Sequence, residues 1–265
     1  MGLLAFAIRL TLWRALYGAT YAGPNVFDSA VGAIEMVGDA DIERRPVLTV
    51  STDEEKHTPN GNDWLTGDRE IDLVVEMAIW TAIKDKAGVE IAHTDDGLEM
   101  ALNYLGRQVM RIMQVDDGSE WGDLFRTFAG QIDKVEAKRG GSANKGERIA
   151  ARQVIITLKP TFGEPAFGVA PVGEWARLIA AIAADDILKD IAPGLAAEIE
   201  GTAIPEWARL QAAIGLSRRT MVALGLGPLP PDGVTDPPEA PPVLNEATTQ
   251  GDHIGSVVVP EEEEP

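Results

Sequence analysis

The chain reads as an α+β protein: a mainly antiparallel four-stranded sheet flanked by two helices, then a helical extension, then an extended acidic, proline-rich tail. Three observations carry that expectation. Helix-like and strand-like periodicities alternate through residues 1–168, an Ala-rich stretch with helical spacing fills 169–227, and residues 228–265 are low in complexity. The same divisions are the expected domains: an α+β domain, a helical extension and a tail. A length of 265 residues suits one medium domain with an appendage.

The first helix is expected from about Leu3 to Thr20. Leu4, Ile8, Leu12, Ala15 and Ala19 form an apolar stripe, and Gly23-Pro24 is a strong stop. Val47–Val50 reads as a short strand without breakers. The polar stretch from Asp53 to Gly67, with Trp64 near its end, reads as a long acidic loop, and loops of that length tend to carry function. Arg69 to Ile83 is the clearest strand. Ile71, Leu73, Val75, Met77 and Ile79 fall on one face, and Asp72, Val74, Glu76, Ala78 and Trp80 on the other. The two strands are expected to pair antiparallel around the loop.

A second helix is expected behind the cap Thr94-Asp95-Asp96, with Leu98, Leu102, Leu105, Val109 and Ile112 as its stripe and Asp116-Asp117-Gly118 as its end. Residues 121–131 fit either a helix, from the spacing of Trp121, Leu124, Phe125 and Phe128, or an irregular approach to the next strand. Gln131–Lys138 and Arg148–Leu158 read as strands around a glycine-rich loop at 140–146.

The extension holds an internal repeat. Glu174-Trp175-Ala176-Arg177-Leu178-Ile179-Ala180-Ala181-Ile182 recurs as Glu206-Trp207-Ala208-Arg209-Leu210-Gln211-Ala212-Ala213-Ile214, eight of nine positions matching at an offset of 32. Two copies fall short of a solenoid. They read as a duplicated helical hairpin whose Trp175 and Trp207 are either core residues or a partner-binding aromatic pair. The tail has nine of the chain's 17 prolines and nine acidic residues with no Lys or Arg, a composition that does not fold alone. Its Gly255–Pro260 segment is a candidate for strand addition to a partner's sheet edge.

The formal charge is −19. That argues against nucleic acid as a bound partner, because phosphate binding runs on clustered Lys and Arg. An acidic wall is compatible with DNA passing nearby without sticking. With no cysteine, disulfides, thiolate metal sites and Cys nucleophiles are excluded. Arg9 ends the first apolar run after six residues, short of the roughly 7–15 of a signal-peptide core. No apolar run approaches the ~18 residues of a membrane span, so the expectation is a soluble chain with no membrane partner.

The chemistry-bearing motifs fail. His57, His93 and His253 are far apart in sequence and lack metal-ligand spacing. There is no Gly-x-Ser-x-Gly elbow. The glycines at 141–146 superficially suggest a phosphate loop, but Glu147 stands where its lysine belongs. Gly225-Leu226-Gly227 runs into Pro228 rather than a helix. Acid pairs at Asp53-Glu54-Glu55, Asp95-Asp96 and Asp116-Asp117 lack the spacing of a calcium loop. No cofactor and no catalysis are expected, although dispersed carboxylates leave no local motif.

Five strings resemble the tail terminator proteins of long-tailed, lambda-like phages. They are Gly23-Pro24-Asn25-Val26-Phe27-Asp28-Ser29; the proline-led run from Arg45 to Glu55; Arg69 to Glu76; the leucine-rich helix 98–112; and Ala151 to Leu158. The resemblance implies a virion protein assembled in the host cytoplasm, a ring of six copies that caps the tail tube and stops its polymerisation. Its implied partners are copies of itself, the tail tube protein, a head-side connector or stopper protein, and DNA sliding through the lumen without specific binding. It implies no enzyme activity. The other reading is a non-enzymatic adaptor or head–tail connector module that uses the helical extension and acidic tail. In either case the expected partner contacts are Asp53, Glu54, Glu55 and Trp64, with Trp175 and Trp207.

Overall fold

The computed structural model describes residues 2–29, 46–61, 63–82, 95–115, 118–144, 147–166, 168–201, 210–211 and 214–225. Two compact units divide the chain: Met1–Asn60 with Trp64–Thr202, and Gly61–Asp63 with Ala203–Pro265.

In the first unit, helix α1 (Leu3–Leu16) buries Leu4, Ala5, Ala7, Ile8, Leu10, Thr11, Leu12, Ala15 and Leu16. That is more than the single stripe read from the sequence. A helix apolar on several sides belongs inside a core, and α1 lies against both sheet and helices. It stops at Leu16, before the expected Thr20: Tyr17 turns extended and Gly18 takes φ 73°. Ala19, assigned to the stripe, lies past that stop and is exposed.

The sheet has five strands in the order β1-β2-β3-β5-β4: β1 (Val26–Asp28), β2 (Val47–Asn60), β3 (Asp63–Ala82), β4 (Gln131–Asn144) and β5 (Glu147–Lys159). The four expected strands are present. The fifth, β1, pairs parallel with β2, Val26 against Leu48 and Asp28 against Val50, which makes the sheet mixed. Three residues are too few to show a period of two, so β1 left no signal. β3 and β4 both pair antiparallel with β5.

The long acidic loop is corrected to a hairpin. β2 continues through Asp53, Glu54 and Glu55 to Asn60, and β3 starts at Asp63, so only residues 61–62 connect them. Alternating exposure along the outer half of β2 is the mark of a strand with one covered face. Gly67, at φ 127°, fits where a Cβ would stand 2.2 Å from the Thr58 carbonyl oxygen, a close approach open only to glycine. The glycine-rich loop at 140–146 shortens for the same reason, since pairing continues out to Asn144 against Glu147.

Helices cover one face of the sheet. The inward face read from β3 holds: Ile71, Leu73, Val75 and Met77 are 0% exposed and Ile79 7%, while on the opposite face Asp72 and Glu76 are half-buried and Val74 and Ala78 are buried as well. Against that face lies α2 (Asp95–Gln114), burying Leu98, Leu102, Leu105, Val109 and Ile112. Its expected cap, Thr94 with the side chains of Asp95 and Asp96, lies outside the described residues, as do Ile83 and the Trp80 side chain. The ambiguous segment is a third helix, α3 (Glu120–Ala129), capped by the Ser119 Oγ, which accepts from the Gly122 N–H at 3.3 Å.

Two more helices complete the core, α4 (Gly173–Ala184) and α5 (Ala192–Glu200). Trp175, Leu178, Ile182, Leu195 and Ile199 join the same apolar cluster as α1 and the sheet. The first half of the extension is therefore built into the body rather than appended to it. Most of the second copy of the repeat, residues 206–209 and 212–213, lies outside the described residues. The described part of the second unit holds α6 (Arg218–Ala223), capped by Ser217, with Met221 buried.

Truncating Trp175 to Ala removes a large side chain from this core, so the unfolding free energy should fall by about 3–5 kcal/mol. The exposed Met100→Ser change should stay within about 0.5 kcal/mol. Urea melts of the two variants check both.

Candidate functional site

Arg69 begins on the core-facing side of β3, two residues ahead of Ile71, and its side chain is 6% exposed. A buried guanidinium needs anions. It meets Glu55 of β2 at 2.8 Å and Glu164, which follows β5, at 2.9 Å. The remaining carboxylate oxygens are used by the start of α1. Glu164 accepts from the N–H of Leu3 at 2.9 Å and of Leu4 at 3.3 Å, and Glu55 accepts from the N–H of Gly2 at 3.2 Å. Two carboxylates and one guanidinium leave one net negative charge, placed where unpaired amides and the helix dipole favour it. A Cβ on Gly2 would fall 1.8 Å from a Glu164 oxygen.

A second set of ion pairs fastens the later helices. Arg14, in the last turn of α1, bonds to Asp185 through two of its nitrogens, one at 2.9 Å, and its guanidinium lies over the Trp13, Tyr17 and Trp121 rings. Asp185 also accepts from the N–H groups of Ile187 and Leu188, which sets the turn between α4 and α5. Arg177 of α4 reaches Glu120 and Asp123 of α3 at 2.7 Å each. Hydrogen bonds from Glu120, then Asp123, push its guanidinium above the ordinary range.

The outer face of the sheet is acidic. Side chains alternate along β3, so Asp68, Glu70, Asp72 and Glu76 share the face opposite Ile71 and Leu73. Asp72 accepts from Thr157 at 2.6 Å and Glu76 from Gln153 at 3.0 Å, both cross-strand neighbours on β5. Lys56 Nζ lies 3.3 Å from both Glu54 and Glu70, which puts Glu54 on this face too. Glu54, then Glu70, raises the Lys56 ammonium, and Asp133 raises Lys159. A raised cation stabilises the fold fully below its unfolded value, here 10.5 for both lysines, and gives that up only as the pH climbs through the folded value.

The expected contact residues separate. Asp53 and Glu54 are exposed on the hairpin. Glu55 is engaged inside the body by Arg69 and the Gly2 amide. Trp175 is a core residue, 6% exposed with its ring centroid 5.0 Å from that of Phe128. The Trp64 side chain and all of Trp207 lie outside the described residues. Among the described residues no three His, Asp or Glu side chains gather as a metal site, and no helix is long and apolar enough to cross a membrane. His57 bonds the Thr66 carbonyl across the hairpin at 3.2 Å. The described residues form an acidic sheet face over a body held by buried ion pairs.

Against known proteins, no family model matches this chain and no curated protein matches it.

Replacing Arg69 with Ala leaves Glu55 and Glu164 buried without their cation. The expected loss is about 3–5 kcal/mol, the usual result of breaking a buried pair from one side. Lys56→Ala, at the exposed face of the same hairpin, should leave the urea midpoint nearly unchanged.

Proposed function

We propose that the chain is a non-enzymatic structural subunit of a phage virion, of the tail terminator type. It closes into a ring of six, caps the tail tube, halts its growth and offers a docking face to the head-side connector. The observation that carries this reading is where the five strings of the resemblance fall. They supply β1, the part of β2 up to Glu55, the stretch of β3 from Arg69 to Glu76, the buried stripe of α2 and Ala151–Leu158 of β5, so they share one sheet-and-helix body rather than scattering over loops.

Two features suit assembly. β4 ends the sheet, nearly all of it exposed up to Gly140, with no strand beyond it among the described residues; such edges invite or must resist a neighbour. The acidic sheet face is the second, since an acidic patch pairs with a basic one on a neighbour. The adaptor reading calls for two surface tryptophans, and Trp175 lies against Phe128 in the core.

Light scattering after size exclusion tests the proposal, together with micrographs of the same fractions. The expected particle is annular, with six times the 28.4 kDa mass of one chain. A monomer at every concentration, with no annular particle, contradicts it.

A further inference from the structure

We propose that the outer face of α2 is the docking surface for the acidic sheet face of a second copy of this chain. The inference rests on the reading that copies assemble, and it names the two surfaces that meet.

While α2 buries its leucines, it turns Met100 and Tyr104 outward at 74% and 63% exposure, followed by exposed Arg107 and Arg111. Steps of four, three and four place these side chains on one ridge. Val115, just past the helix, continues it at 51% exposure. From Met100 to Val115 the ridge is about 22 Å long at 1.5 Å per residue. Arg107 and Arg111 have no ion-pair partner among the described residues, although carboxylates outnumber cations 42 to 23 in the chain. Arg139 and Arg152 come up beside the ridge, where both pair with Glu99, at 2.8 and 3.2 Å. Two guanidiniums share the Glu99 carboxylate, and Arg107 and Arg111 add two more cations further along the helix.

Favourable placement of cations near a helix C-terminus explains an arginine here. It does not explain a bare methionine and tyrosine, and Met, Tyr and Arg together are the side chains that interfaces favour. The occupant follows from charge. Copies carrying −19 each repel one another unless opposite patches meet. The opposite patch is the outer sheet face, where Glu54, Asp68, Glu70, Asp72 and Glu76, joined by Glu136 of β4, outnumber Lys56, Lys134, Lys138 and Lys159. Its run from Asp68 to Glu76 is about 27 Å at 3.4 Å per residue, close to the length of the ridge. The two surfaces differ and lie on opposite layers of one body, sheet outside and helix outside. Such a contact is head-to-tail, the kind that closes a ring or propagates a filament.

Charge reversal tests it in the full chain by light scattering, with circular dichroism to check folding. Arg107→Glu with Arg111→Glu should reduce the particle to single chains, and so should Glu54→Lys with Asp68→Lys. An equimolar mixture of the two reversed chains matches at every contact when the chains alternate, so the mixture should regain the native mass, and so should all four changes in one chain. Reversed variants that keep the native mass, or a fourfold variant that fails to regain it while folded, overturn the contact. A wild-type monomer contradicts the ring reading instead. The contact is then read by oxidising a mixture of Asp68→Cys and Arg107→Cys chains, otherwise free of cysteine. A mixed disulfide well above the two homodimers supports it, and a statistical distribution overturns it.

Discussion

A helix with nine buried residues out of fourteen cannot leave its ends unsatisfied. The start of α1 is part-buried, and its amides are not left to water. Glu164 and Glu55 serve them instead, and those carboxylates tolerate burial because Arg69 stands between them. Each member depends on the other two. Without Arg69 the acids repel, and without the acids the guanidinium is a lone buried charge. Near the other end of α1 a second ion pair, Arg14 with Asp185, ties the helix to the turn between α4 and α5. The two anchors reach 161 and 171 residues along the sequence, so one early helix holds the sheet edge, the segment after β5 and the α4–α5 pair in place.

That arrangement explains why the body runs on to Thr202. Trp175 fills the space beside Phe128, and Phe162 closes on the other ring of the same group at 5.6 Å. Arg177 then ties α4 to α3 at the rim. Rim pairs of this kind contribute little by themselves; the buried aromatic cluster supplies the larger share of the attachment. The polar links fix where the helices sit, and the apolar burial holds them there.

Much of this was legible from periodicity. The alternation from Ile71 to Ile79 and the stripe from Leu98 to Ile112 placed a strand and a helix with the correct faces inward. The misses have physical causes. Residues 53–67 are polar on both faces because the hairpin is mostly wet, and a wet strand has no apolar alternation to read. The first helix shows too many apolar residues for one stripe, which signals a buried element rather than a surface one. Arg69 carried a readable clue: the series 71, 73, 75, 77, 79 extended back by two lands on a charge in core register, and such a charge demands buried acids. Nothing near Glu164 marks it as one of them, since that pairing exists only once the chain has turned back along the hairpin. Trp175 and Trp207 looked equivalent in sequence, and only packing could assign Trp175 to the core.

The central claim is that α1, clamped at both ends, opens only when the whole body does. Native-state hydrogen exchange of the full chain reads this residue by residue. The account predicts that amides from Ile8 to Leu16 exchange with an opening free energy equal to that of global unfolding, together with the central amides of β3 and β5. If the α1 amides instead exchange through a local opening of much lower free energy while the sheet stays protected, the helix is not the element on which the rest depends.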